Sequence, residues 1–180
     1  LGTVASIPAS LLGDDELAGV TLELERARRL LDAAELGCLA ELDRRGVTEV
    51  AFGQKVVAWL AHEAKLPRAV AGARVRTARK IAPAGGLEPV GEALRDGSIG
   101  FDHARVLADA ANARNVDGLA GVIGELCDAA GVTTFERWSA EVRGLADLLD
   151  ADGGHDPAGD LPDPRLSVHR VGDVTTVQQN

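Results

Sequence analysis

Basic side chains are concentrated in one stretch of the sequence, and the chemistry they offer is the binding of phosphate groups. Between Ala64 and Leu87 the chain has no Asp or Glu and six basic residues, which are Lys65, Arg68, Arg74, Arg76, Arg79 and Lys80. The chain has 19 Lys and Arg against 28 Asp and Glu, so the rest of it carries 13 against 28. A cationic patch on an anionic protein favours local contact with a nucleic-acid backbone. The alternative is that these side chains form only a solvated face.

The four histidines show no spacing typical of a catalytic or metal-binding cluster; they are His62, His103, His155 and His169. The pair His62-Glu63 lacks the second histidine of a zinc-helix motif, because Leu66 stands at that position. We therefore predict no catalytic residue, no metal ligand and no cofactor within this sequence. His155 lies in a polar, glycine-rich stretch and is predicted to be solvated, and His169 is predicted to lie on the surface of a strand.

His103 and Arg105 lie close together at the start of a predicted helix, and two roles are open for them. His103 could hydrogen-bond to the preceding loop and lock the packing of that loop, because half-buried polar groups usually find a nearby partner. Alternatively, His103 and Arg105 could contact a phosphate together. Trp59 and Trp138 lie in apolar helical segments, and we expect them to anchor the core rather than to stack on bases.

The basic residues are positioned by a predicted pair of helices over residues 54–81, joined by a corner at Lys65-Leu66-Pro67. Apolar residues of the second helix recur with helical spacing and predict a buried face at Val70, Ala71, Val75, Ala78 and Ile81. The opposite face carries Arg68, Arg76, Arg79 and Lys80. Two short helices with a tight corner and a basic outer face are typical of a helix-turn-helix. The predicted DNA contacts are these four residues, with Lys65 and Arg105.

The rest of the chain predicts an all-α bundle of about seven helices over residues 1–150. A long helix is expected from a cap at Thr21 to about Arg45, and residues 46–53 are expected to be a connector. The apolar stripe of the long helix consists of Leu24, Ala27, Leu31, Ala34, Cys38 and Leu42. Both Cys38 and Cys127 are expected to be buried thiols. Aromatic residues make up only 3% of the chain, so the core must be built from Ala, Leu and Val.

The last 30 residues change character. Residues 151–164 are rich in Gly, Pro and Asp and predict a flexible linker. Residues 165–180 alternate as in a β-hairpin and predict the start of a truncated C-terminal module. The chain starts at Leu1 rather than Met, which suggests a fragment of a longer protein. No apolar run is long enough for a membrane span and no signal peptide is evident, so a cytoplasmic location is expected.

Three segments carry a resemblance to a known family: ELDRRGV at 41–47, AWLAHEAKLPRAVAGARVRTARKI at 58–81 and ALRDGSIGFDHARVLADA at 93–110. They resemble the actinobacterial 13E12-repeat family, also called domain of unknown function 222. The closing LSVHRVGDVTTVQ at 166–178 is similar to the strand segment of that family. The resemblance covers roughly residues 20–180 and implies a helical domain that is usually N-terminal to an HNH endonuclease module. A divalent metal would then belong to that downstream module.

The order of the helix pair and the following A-L-x-x-G-x-I-x-x-x-H-A-R is distantly similar to the DNA-binding core of ParB-type partition proteins. This similarity implies that the helix after the corner reads DNA. Lys65 replaces the usual small turn residue, and Pro67 replaces the usual Ser or Thr cap.

Two functions remain as hypotheses. The first is a DNA-binding or DNA-positioning domain of an HNH-endonuclease-type or mobile-element protein, with duplex DNA as the partner and no enzyme activity in this chain itself. The second is a helical protein–protein module that forms a homodimer through the long helix and binds no nucleic acid. A remnant of a mobile element without present activity is a third reading.

Overall fold

The protein is described by a computed structural model, which covers residues 9–151, 166–171 and 174–179. A short 3-10 turn at Ala9–Leu11 precedes eight α-helices. They are α1 Asp14–Arg44, α2 Val47–Phe52, α3 Val56–Glu63, α4 Arg68–Ile81, α5 Glu88–Arg95, α6 Phe101–Ala110, α7 Val116–Ala130 and α8 Phe135–Ala151. The predicted all-α bundle is confirmed. Of the predicted linker at residues 151–164, Ala151 is the last residue of α8, and residues 152–164 lie outside the described residues.

The strands β1 (Leu166–Val171) and β2 (Val174–Gln179) follow the helices and pair antiparallel, with Val168 opposite Val177. The predicted hairpin is therefore present in the backbone. None of the described helices is both long enough and apolar enough to cross a membrane.

The helix α1 begins earlier than the sequence predicted. It starts at Asp14, where the backbone N–H of Gly13 donates to the Glu16 carboxylate at 3.1 Å. Three acids in the first turn suit the positive end of the helix dipole. The predicted cap at Thr21 is wrong, because Thr21 lies inside the helix and donates its hydroxyl to the Leu17 carbonyl. The expected connector at 46–53 is also wrong, because residues 47–52 form α2.

The core is assembled around α4, which packs against α1, α3, α5 and α6, while α7 and α8 close the other end. The residues that α4 contributes to the core include Ala71, Val75 and Ala78, which are fully buried. Trp138 of α8 is the largest fully buried side chain, and its indole N–H donates to the Leu126 carbonyl at 2.7 Å. An indole N–H normally needs such a partner when it is buried.

Most of the apolar stripe predicted for α1 faces away from this core. Leu24 and Leu31 are 39% and 62% exposed, and Leu42 at the end of the stripe is partly buried against the core. The fully buried residues of α1 are Leu36 and Leu39, which the predicted stripe did not include. Cys38, predicted to be buried, is exposed, and only Cys127 is buried. The helix carries two apolar faces, and apart from Leu42 the bundle packs against the face that the predicted stripe did not include.

Candidate nucleic-acid interface

The corner between α3 and α4 is built by a left-handed residue. Lys65 has a φ of 56°, and it is the only residue other than glycine with positive φ in the described part of the chain. This conformation turns the backbone so that the Leu66 N–H donates to the Ala61 carbonyl at 3.1 Å, which closes the end of α3. Pro67 is extended and caps α4, which begins at Arg68. The predicted helix pair and its corner are thus present.

One face of α4 is fixed against the bundle. Ala71, Val75, Ala78 and Ile81 are buried as predicted, but Val70 is 39% exposed. Val70 lies in the first turn of α4, where Arg68 and Ala69 are exposed as well. Gly72 is buried, and a Cβ added there would lie 3.9 Å from Val57 of α3. Because α3 packs closely against α4, the exposed outer face of α4 has a fixed orientation relative to the bundle.

Three of the predicted DNA-contacting residues lie on the corner and on the outer face of α4. Lys65, Arg68 and Arg76 are all exposed. No acidic side chain among the described residues forms an ion pair with any of them. We call these three residues the corner cations. The side chain of Arg76 lies over Gly72, with its Nη1 atom 3.3 Å from the position of an added Cβ.

Arg79, at the other end of α4, is engaged within the protein. Its Nε and Nη2 atoms each donate to the Asp43 carboxylate of α1 at 2.6 Å. The hydrogen bonds from Arg79 lower the pKa of Asp43, against a smaller opposing effect of burial. The same contact raises the pKa of Arg79. A bidentate pair of this kind neutralises the guanidinium locally.

Lys80 turns toward the bundle as well. Its Nζ atom donates to the carbonyls of Ala108, at 2.6 Å, and Ala111, at the C-terminal end of α6. An ammonium at this position complements the negative end of the helix dipole. Lys80 therefore ties α4 to α6.

Two further arginines have partners that weaken their positive charge. Arg74 pairs with Glu35 of α1, and its guanidinium carbon lies 5.7 Å from the centre of the Phe101 ring. Arg105 lies on α6 between two acids of the same helix, with 3.4 Å to Asp102 and 3.9 Å to Asp109. Because both arginines have acidic partners, Arg74 and Arg105 do not belong to the corner cations.

His103 packs among aromatic rings. Its ring lies 4.7 Å from the centre of Trp138 and 5.1 Å from that of Phe135, edge-on in both cases. Burial lowers the pKa of His103, the charge of Arg29 lowers it further, and Asp102 opposes the shift. The expected anchoring role fits this packing, but the contacts are aromatic rather than hydrogen bonds to the preceding loop.

The aromatic pair at α2 and α3 is less enclosed than the sequence predicted. Trp59 is partly buried and stacks at 6.2 Å on Phe52, which is 58% exposed. Trp138 is fully buried and confirms its predicted place in the core.

Sequence reasoning missed three charged residues near this surface. Asp43 is 36 positions away from Arg79, and only the fold brings them together. Lys55 is exposed at the N-terminal cap of α3, and its charge contributes to lowering the pKa of Asp43. Glu63 lies in the last turn of α3, exposed beside the corner, with its carboxylate 2.9 Å from His62. Glu63 stands two residues before Lys65 in the sequence, and this could have shown that the cationic region ends on that side.

Comparison with known proteins gives one match. A family model described as "Domain of unknown function (DUF222)" matches residues 18–175. No curated protein and no solved structure matches the chain.

Within the described residues, no group of three or more His, Cys, Asp or Glu side chains is placed to hold a metal ion.

Proposed function

The chain belongs to the DUF222 family, and because that description leaves its activity open, we propose from the site that it binds and positions duplex DNA through the corner cations. The single observation that carries the proposal is the exposure of Lys65 at the corner and of Arg68 and Arg76 on the outer face of α4, without acidic partners among the described residues. The chain as a whole has a net charge of −9, so contact with phosphate is favoured only at such a local patch.

The start of α4 adds to the attraction for phosphate. The N-terminal end of a helix carries a partial positive charge and leaves its first N–H groups without intrahelical partners. Pro67 offers no side-chain cap to these groups. Arg68 stands at this end, so a phosphate there would meet both a guanidinium and backbone donors.

The outer face of α4 is shaped for close approach. Between Arg68 and Arg76 it presents the small side chains of Ala69, which is exposed, and Ala73, which is partly exposed. A helix that enters the major groove contacts base edges with residues of its N-terminal half, and alanine can contact a thymine methyl group. The arginines would then contact phosphates on either side.

Arg79, Lys80 and Arg105 have structural roles in this proposal. Each is engaged by groups of the protein itself, namely the Asp43 carboxylate, two α6 carbonyls and two α6 acids. A phosphate would have to displace those partners. The DNA contacts predicted for these three residues are therefore not part of the proposed interface.

We propose that the bound DNA is held for a nuclease-type or mobile-element activity, as the resemblance to the 13E12-repeat family implied. The proposal assigns no catalytic step to the residues described here.

Binding to a fluorescent duplex of about 20 base pairs, measured by anisotropy between about 50 and 200 mM salt, tests the proposal. Three phosphate contacts predict a slope of log K against log salt of about −2.7, or a loss of roughly 40-fold over this range. The double substitution Arg68→Gln and Arg76→Gln leaves one contact, so the slope should fall to about −0.9 and the loss to roughly 3.5-fold.

A matched control removes two exposed arginines of α8, Arg137→Gln and Arg143→Gln. The control changes the net charge by the same amount and should keep the steep slope. If both double variants weaken binding equally, the effect comes from net charge and the corner is not the site. If the wild-type protein does not bind the duplex at 50 mM salt, the proposed function is wrong.

A further inference from the structure

The outward face of α1 carries a continuous apolar stripe that no other helix of the bundle covers. Its members are Leu17, Val20, Leu24, Ala27, Leu31, Ala34 and Cys38, and we call them the α1 seam. All seven are exposed or partly exposed, with Leu31 at 62%. From Asp14 to Arg28 every side chain of α1 is exposed except that of Val20, which is partly buried. This half of the helix therefore has no packing partner among the described residues.

The spacing of the α1 seam is that of a coiled coil. Its residues alternate at intervals of three and four, so they occupy positions a and d of three successive heptads and position a of a fourth. The stripe extends for about 32 Å, at about 1.5 Å per residue. A helix that served only its own bundle would have its apolar residues on the side of Leu36 and Leu39, which are buried. The second stripe needs another explanation.

We propose that the α1 seam binds the same seam of a second copy of this chain, in a parallel two-stranded coiled coil. The charges beside the seam support this occupant. In a parallel pair, each residue before an a position faces the residue five positions later in the partner helix. Glu23 of each copy then faces Arg28 of the other, which gives two attractive pairs about a two-fold axis. Within the chain Arg28 pairs with Glu25 at 2.5 Å, and Glu23 of the partner would share the exposed guanidinium with it.

The antiparallel arrangement with the same seam residues lacks the attractive charge pairs of the parallel one. With Leu24 set against Ala27 of the other copy, Glu23 faces Leu30 and Arg28 faces Thr21, so no opposite charges meet. Asp14 faces Glu35, which Arg74 of its own chain already neutralises. The parallel arrangement places no like-charged side chains opposite each other at the flanking positions between Glu16 and Glu35. The Glu23–Arg28 pairs thus favour a second copy as the occupant and the parallel direction over this antiparallel register.

The mass of the protein in solution tests the pairing. Sedimentation equilibrium of the full chain at tens of micromolar should give twice the monomer mass of 18.7 kDa. Leu24→Glu with Leu31→Glu places four carboxylates in the seam and should give the monomer mass. The control is Leu148→Glu with Val132→Glu, two exposed apolar residues away from α1, and it should remain dimeric. Both double variants change exposed positions, and circular dichroism should show unchanged helix content. A wild-type monomer would overturn the proposal.

Cys38 reports the direction of the pair. It is the exposed thiol of the chain, since Cys127 is buried. In the parallel pair the two Cys38 residues face each other, so mild oxidation should give a covalent dimer that Cys38→Ser abolishes. In the antiparallel pair they lie about 37 Å apart and cannot be joined within the dimer. A stable dimer that resists this cross-link would overturn the parallel arrangement.

Charge reversal provides a second test of the direction. Glu23→Arg alone should weaken the dimer, and adding Arg28→Glu should restore it, because the facing pair is then reversed but complete. Failure of the double change to restore association would contradict the proposed pairing. None of these outcomes depends on DNA, so the dimer and the proposed function can fail separately.

Discussion

Replacement of Lys65 by glycine should make the protein more stable while weakening its binding to DNA. The two effects have separate physical origins at the same residue. The φ of Lys65 is 56°, a left-handed conformation that costs a residue with a Cβ about 1–2 kcal/mol. Glycine adopts it freely, but the greater freedom of glycine in the unfolded chain costs roughly 0.5–1 kcal/mol. The net gain should be about 0.5–1 kcal/mol.

The effect on DNA follows from the lost charge. Lys65 is one of three corner cations, so its removal should reduce the salt slope from about −2.7 to about −1.8. The loss of affinity between about 50 and 200 mM salt should fall from roughly 40-fold to roughly 12-fold. Lys65→Gln is the matched comparison, because it removes the same charge and keeps the left-handed strain.

Urea unfolding and anisotropy measured on the same preparations separate these effects. Both variants should show the same reduced salt slope, and only the glycine variant should unfold at higher urea than the wild type. A glycine variant that is less stable than Lys65→Gln would refute the strain at the corner. Unchanged DNA binding in both variants would refute the assignment of Lys65 as a contact.

Three further substitutions test the charges around the corner and the aromatic cluster. Asp43→Asn should release Arg79, and the salt slope measured by anisotropy should then steepen by about 0.9. The same change should lower the free energy of unfolding by less than about 1 kcal/mol, because the Arg79–Asp43 pair is partly exposed. An unchanged slope would show that Arg79 does not reach DNA. Glu63→Gln should raise affinity about twofold by removing a screened surface charge beside the corner, and weaker binding would contradict this. The folded-state pKa of His103 lies below its ordinary value, so the unfolded chain takes up the proton first and stability should fall as the pH drops from about 7.5 to about 5.5. In urea unfolding, His103→Gln should reduce that fall, and an identical pH dependence would refute the role of His103.

The elements near the corner were predictable because their signals are local. Helical spacing of apolar residues located α4, and Pro67 marked its start. The run without acids between 64 and 87 located the positive charge. The left-handed turn had no such signal, because Lys65 stands where a glycine usually reveals it. Local composition could therefore place the corner but not describe its backbone.

The face of α1 was mispredicted for a different reason. A helix with a single apolar stripe packs that stripe against the core, but α1 has two apolar stripes. Periodicity identified the stripe of Leu24 and Leu31, whereas the bundle packs against Leu36 and Leu39. The choice depends on where α4 and α5 lie, which spacing within α1 does not encode. The same regularity that misled the prediction indicates a second partner.

Whether an arginine forms an ion pair within the protein depends on contacts between helices that are distant in the sequence. The Arg79–Asp43 pair joins α4 to α1, and the Arg74–Glu35 pair joins the same two helices. Each pair spans more than 35 residues of sequence. A count of charges along the chain treats all six basic residues as equal, and only their neighbours in space separate the corner cations from the rest.

The most direct test of the central claim is the backbone amide spectrum of the protein, recorded with and without a duplex of about 20 base pairs. DNA binding through the corner predicts that the largest chemical-shift changes cluster in residues 64–76, with the amides of α8 unaffected. Changes centred on α7 and α8 with none at the corner would contradict the account, as would an unchanged spectrum at low salt.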